Sequence, residues 1–135
     1  MAKTFSAQVD RWVSSSRART EAVVKTAIQS LAEEANRPTG QGGRLPLDTG
    51  FLRNSFTGQV GSMPSGPSHR GEAMGRAEDV YLVIANMRIG QVLYLGWTAN
   101  YAKYMEARYA FRDAASQRWP RFVAAAVQEA KARIR

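Results

Sequence analysis

Residues 80–97 read VYLVIANMRIGQVLYLGW. Two apolar runs, Val80 to Ala85 and Gln91 to Trp97, flank a polar link that ends in Gly90. Both runs are rich in β-branched and aromatic residues and apolar on both faces, which predicts two central strands joined at Asn86 to Gly90 as an antiparallel hairpin. Upstream, Ser55 to Gly61, SFTGQVG, alternates Phe56 and Val60 with polar residues and predicts a half-exposed strand. The remaining periodic segments carry a helical period. A small antiparallel sheet carrying helices makes the fold class α+β.

Residues 6 to 36 predict one long amphipathic helix. Val9, Trp12, Ser16, Val23, Ala27, Leu31 and Ala35 lie mostly three, four or seven residues apart, and Val13, Val24 and Ile28 widen the stripe. Such a helix is about 45 Å long at ~1.5 Å per residue, and part of it is expected to extend past its own core. A second long helix is predicted from Asp113 to Ile134, with a kink or delayed start at Pro120. Asn100 to Arg108 predicts a short helix. Asp48 is placed to cap another over Thr49 to Arg53. Arg37 to Asp48 and the Gly/Pro-rich stretch 61–79 read as loops, the second long enough to be mobile or functional.

The 135 residues suffice for one domain, 1–135. Nineteen Lys and Arg, fifteen of them Arg, stand against eleven Asp and Glu, a formal net charge of +8. That surplus suits association with phosphate or carboxylate partners. With no Cys, disulfides, thiolate nucleophiles and Cys metal sites are excluded. One His leaves little general-base or metal chemistry. No window reaches the ~18 apolar residues of a membrane span, and the N-terminus lacks the apolar core of a secretory signal. The expectation is a soluble basic domain that is not an enzyme and carries no cofactor, metal or small-molecule substrate.

The chemical motifs are sparse. Thr39 to Arg44, TGQGGR, lacks the Lys-Ser/Thr of a phosphate loop and reads as a flexible turn. His69 sits in the 61–79 loop without an orienting partner. Trp12, Trp119, Phe122, Tyr81 and Tyr94 fall on apolar periodicities and read as core rather than as stacking platforms for bases. The Arg and Lys residues are scattered, with no helix-turn-helix or finger spacing, so any contact with DNA is expected to be independent of sequence.

Leu45 to Ser55, LPLDTGFLRNS, is the most informative stretch: a Pro-set approach, the Asp48–Thr49 cap, the permissive Gly50, the Leu52 anchor, then Arg53 and Ser55. The string P-x-D-T-G-x-L-R-x-S resembles the signature of a family of neck or tail-component proteins of long-tailed double-stranded DNA phages and gene transfer agents. The rest of the chain is similar to that family too. A long basic helix precedes the motif and a variable Gly/Pro loop and an apolar hairpin follow it. Next come a Y-A-x-Y-x-E segment, here Tyr101, Ala102, Tyr104 and Glu106, and a closing helix. Many members place Gly directly after that segment, where this chain has Ala107 and Arg108, and Phe111-Arg112 replaces the more usual Pro-Phe.

The resemblance implies a structural virion protein, made in the host bacterial cytoplasm, that forms a ring at the head–tail junction. Its partners would be further copies of itself, six by preference, the neighbouring head-closure and tail-terminator or tail-tube proteins, and the DNA passing through. Asp48, Thr49, Gly50, Leu52, Arg53, Ser55, Tyr101, Tyr104 and Glu106 would then form the subunit contact. Arg70, Arg76, Arg88, Lys131, Arg133 and Arg135 are the candidates to line the channel. The alternative is a small basic protein that binds nucleic acid non-specifically in the cell. Arg53 and Glu106 both stand beside apolar residues, where a lone charge is costly, so they are expected to face one another within or between subunits, or else to point into water.

Overall fold

The computed structural model describes residues 5–46, 50–63 and 79–134. The helix α1 runs from Phe5 to Ala35 without interruption. It is followed by a 3-10 turn over Thr39–Gln41, a one-turn helix α2 over Phe51–Asn54 and strand β1 over Phe56–Val60. Helix α3 (Asp79–Asn86), strand β2 (Leu93–Trp97) and helices α4 (Ala102–Tyr109), α5 (Phe111–Gln117) and α6 (Trp119–Ile134) complete the order. The architecture is α+β, as its periodicities require: long helices at both ends and a two-stranded antiparallel sheet between them.

The sheet is not built from the predicted hairpin. Val80 to Ala85 lies inside α3, and β2 pairs instead with β1, in a register that sets Phe56 opposite Trp97 and Val60 opposite Leu93. As a helix the run satisfies its own backbone groups and sets Val80 and Ile84 on one face against the core. Tertiary packing therefore overrides the β-branched composition. Val80 and Ile84, one turn apart, are buried against β1 and α1, and Leu82 on the opposite side is 64% exposed. Asp79 stands in the first turn, where its charge complements the helix dipole.

The second long helix is two. It begins at Phe111 and breaks at Arg118, so that Pro120 falls in the first turn of α6. Proline is tolerated there because the first-turn N–H has no helical acceptor anyway. The break lets α5 and α6 both lie on α1. The one-turn helix starts at Phe51 rather than Thr49, with Gly50 in the left-handed region at φ 84° before it; Asp48 and Thr49 lie outside the described residues, as does 64–78 of the 61–79 loop. The 37–45 connection is tied rather than loose. Leu45 donates to the Arg37 carbonyl at 3.1 Å, Thr39 to the Leu45 carbonyl at 3.0 Å and Gly43 to the Pro38 carbonyl at 3.0 Å. A Cβ on Gly43 would stand 2.0 Å from the Arg37 carbonyl oxygen, so the loop closes only around a glycine.

Two buried clusters make the core. Leu45, Phe51, Leu52, Ala99 and Phe111 form one, and Ala32, Phe56, Val80 and Ile84 the other. Trp97 packs against both. Its ring stacks on Phe56 at 4.8 Å and meets Phe111 edge-on at 4.7 Å. Its indole N–H donates to Asn36 Oδ1 at 2.9 Å, and Asn36 Nδ2 donates in turn to the Arg53 carbonyl at 3.2 Å. Asn36, only 6% exposed, thus bonds the indole N–H and adds a donor to the Arg53 carbonyl.

Asn36→Leu is expected to destabilise the chain by about 1–3 kcal/mol, because it strands the indole N–H and removes a donor from the Arg53 carbonyl. Trp97→Phe should cost a comparable amount, and the two effects should be clearly non-additive in urea unfolding.

Candidate assembly surface

The two motif segments come together through the sheet. β1 leads out of the first motif and β2 leads into the second, so pairing Phe56 with Trp97 puts Ser55 beside Thr98. The Ser55 carbonyl accepts the Thr98 N–H at 3.1 Å, and the buried Ser55 hydroxyl donates to the Leu52 carbonyl at 2.7 Å. Leu52, 3% exposed, points into the first core cluster. Tyr101, before α4, packs its ring 6.0 Å from Phe51, and Met105 lies on the same cluster. Tyr104, on the other side of α4, is 72% exposed.

Arg53 and Glu106 do not meet within the subunit. Glu106 turns forward onto α5, where its carboxylate accepts the N–H of Arg112 at 2.6 Å and of Asp113 at 3.3 Å. These are orphan donors of the first turn of α5, so Glu106 serves as its cap from the preceding helix. The turn between the helices is made at Ala110, which takes the left-handed conformation at φ 54°. The helix therefore runs through Ala107 and Arg108, and the bend lies beyond them.

Arg53 is left with an unmet need. Among the described residues its buried Nε has no bonded partner and no carboxylate stands within ion-pair distance. The side chain lines an open cleft of about 240 Å³ together with Glu33, Asn36, Arg37, Gln41 and Tyr81. Arg37 is held by Glu34 at 2.9 Å. These residues come from the end of α1, the tied loop, α2 and α3, and no spacing in the sequence announces that they meet.

Of the channel candidates, Arg88, Lys131 and Arg133 lie among the described residues. Arg88 is exposed after α3. It adds a weaker attraction on Glu21, whose carboxyl is held below its usual range mainly by its bond to Lys25. Lys131 is exposed near the end of α6, and Arg133 is bound to Glu129. Arg70, Arg76 and Arg135 lie outside the described residues, as does His69. A different basic group assembles where α5 meets α6. Arg44, Arg118 and Arg121 line a cleft of about 330 Å³, with Arg118 also bound to Glu34 at 2.7 Å. Of the aromatic residues read as core, Trp119, Phe122, Tyr81 and Tyr94 are half-buried, but Trp12 is 71% exposed on a part of α1 that outruns its packing partners.

Glu106→Ala is expected to lower stability by about 1 kcal/mol through loss of the α5 cap. Ala110→Gly should raise it by up to about 1 kcal/mol by relieving the left-handed backbone. Both are read from thermal or denaturant midpoints. Compared with known proteins, the chain matches no family model, no curated protein and no solved structure.

Proposed function

We propose that the chain is a structural subunit of the head–tail junction of a long-tailed phage or gene transfer agent, and that it acts by closing a ring around the DNA conduit. The observation that carries this reading is the meeting of the two motif segments on one cluster, beside an arginine whose buried Nε has no partner among the described residues. A monomer gains nothing from a buried Nε–H left without an acceptor beside its core. A ring subunit does, because a carboxylate of the next subunit can complete it, and a bidentate Arg–carboxylate bond sets orientation as well as contact. Exposed Tyr104 is the kind of aromatic anchor that interfaces use. Ring closure, copy number and location in the particle are parts of the same proposal.

Non-specific nucleic-acid binding is the second reading, and the Arg44, Arg118 and Arg121 cleft favours it. Three guanidinium groups around one opening suit a phosphate backbone, and such contacts weaken steeply with salt.

In particles carrying a tagged chain, the expected result is a closed ring of six copies, or twelve on the head side, seen by reconstruction. Single copies would overturn the proposal. Arg53→Leu should leave the unfolding midpoint unchanged or slightly raised, since it removes an unsatisfied buried donor, yet sharply reduce the yield of complete particles. Duplex binding that survives in Arg53→Leu but drops in an Arg44→Gln, Arg121→Gln chain, with full particle yield in both, would favour the second reading.

A further inference from the structure

Helix α1 outruns its own fold. α6 lies along the later part of α1, and Arg133, near the end of α6, reaches only the level of Arg19. Over the turns before that level an apolar stripe stands in the open: Phe5 is 80% exposed, Val9 39%, Trp12 71% and Val13 43%. Isolated exposed aliphatics are ordinary, but two large aromatic rings aligned with valines on one helix mark a contact surface. The same molecule also has an apolar groove. Where α1 and α6 meet, Ala22, Val23 and Thr26 face Ala126 and Ala130 around a groove of about 170 Å³, room for one large side chain. Its walls are small residues, and the Glu129–Arg133 pair closes part of its rim.

We propose that Trp12 of one copy seats in the α1–α6 groove of a second copy, and reciprocally, in an antiparallel pair of α1 helices. The spacing of α1 supports this. Phe5, Val9, Trp12, Ser16, Arg19, Val23, Thr26 and Ser30 follow the alternating four and three of a coiled-coil seam. Antiparallel alignment of Trp12 with Val23 of the partner then places Val9 on Thr26, Phe5 on Ser30 and Ser16 on Arg19. Large residues meet small ones, as interdigitated packing requires. Because the alignment reads the same from either chain, both tryptophans and both grooves are used at once, and the contact closes with two copies.

The surroundings favour a protein occupant. Ser6, Gln8 and Ser15, which flank the stripe, carry no charge, and the seam itself brings in one ion per copy, Arg19, opposite the small Ser16, so little charge is desolvated when the helices meet. A membrane-surface helix or a DNA-binding one wants Lys or Arg at those edges. The area also suits a pair. Phe5 and Trp12 present on the order of 300 Å² per copy, and reciprocal seating of both stripes buries roughly 1,200 Å² in all, near the lower edge of specific, stable interfaces. The result is a two-fold pair of modest affinity that covers the stripe in the free chain. It stands apart from the ring reading, since an isologous contact is complete at two copies, and particle copy number tests that reading separately.

The test is sedimentation of the isolated full chain over a concentration series, beside two variants. Trp12→Ser removes the side chain that enters, and Ala130→Trp fills the groove from the receiving side. The wild-type chain should form a dimer and nothing larger, and each variant should weaken association about tenfold or more. An equimolar mixture of the two variants should recover a heterodimer, because one tryptophan and one groove remain intact between them. Circular dichroism should match the wild type throughout, and a variant that loses helix is replaced by Trp12→Gln or Ala130→Leu. A wild-type monomer at ~100 µM, below which an interface of this size should already hold, would overturn the proposal. So would open-ended oligomers, a mixture that stays monomeric, or a chain that leaves solution for anionic vesicles while remaining a monomer without them.

Discussion

The hydrogen bond from the Trp97 indole to Asn36 is the constraint around which the rest is arranged. Trp97 ends β2 and touches both core clusters, so its ring is the wall the two halves of the core share. Asn36 sits where α1 ends, and its other amide hydrogen holds the carbonyl of Arg53. One buried amide therefore fixes the end of the long helix, the last residue of the sheet and the first motif in relation to each other. An indole is large enough to span both clusters and polar enough to need one partner, and that need orients it.

The same economy recurs at the second motif. Glu106 stands on a half-buried face of α4, where a charge is unfavourable unless bonded. It is satisfied by backbone N–H groups of the next helix rather than by a side chain of the first motif. The left-handed turn at Ala110 makes this possible by reversing the chain within one residue. Among the described residues the buried side-chain atom left without a bond is Arg53 Nε, and it lies in an open cleft.

The long first helix has two chemically different halves. The later half buries Ala27, Ala32 and Ala35, with Ala32 in the cluster of Phe56, Val80 and Ile84, and it is this half along which α6 lies. The earlier half presents rings and valines to solvent. The helix is thus held by packing at one end and stands on local propensity at the other. That division follows from tertiary packing, which supports most helices in folded proteins and here reaches only part of this one.

Much of the fold was legible along the chain because its signals are local. The stripe of α1 gave its ends to within a residue, Pro120 marked the start of α6, and the alternation of Phe56 and Val60 marked β1. Meetings between distant residues were not legible. Val80 to Ala85 carries an apolar run that suits a buried strand or a buried helix equally, and only its packing, with Val80 and Ile84 against β1 and α1, distinguishes the helix. Trp12 lies on the same stripe as Val23, and nothing in the spacing says that the packing helix stops between them. The clefts at Arg53 and at Arg44, Arg118 and Arg121 draw on segments far apart in sequence. Periodicity and turn chemistry belong to a few consecutive residues and can be read there. Which surfaces are covered, and which charges find a partner, depends on contacts that exist only once the chain has folded.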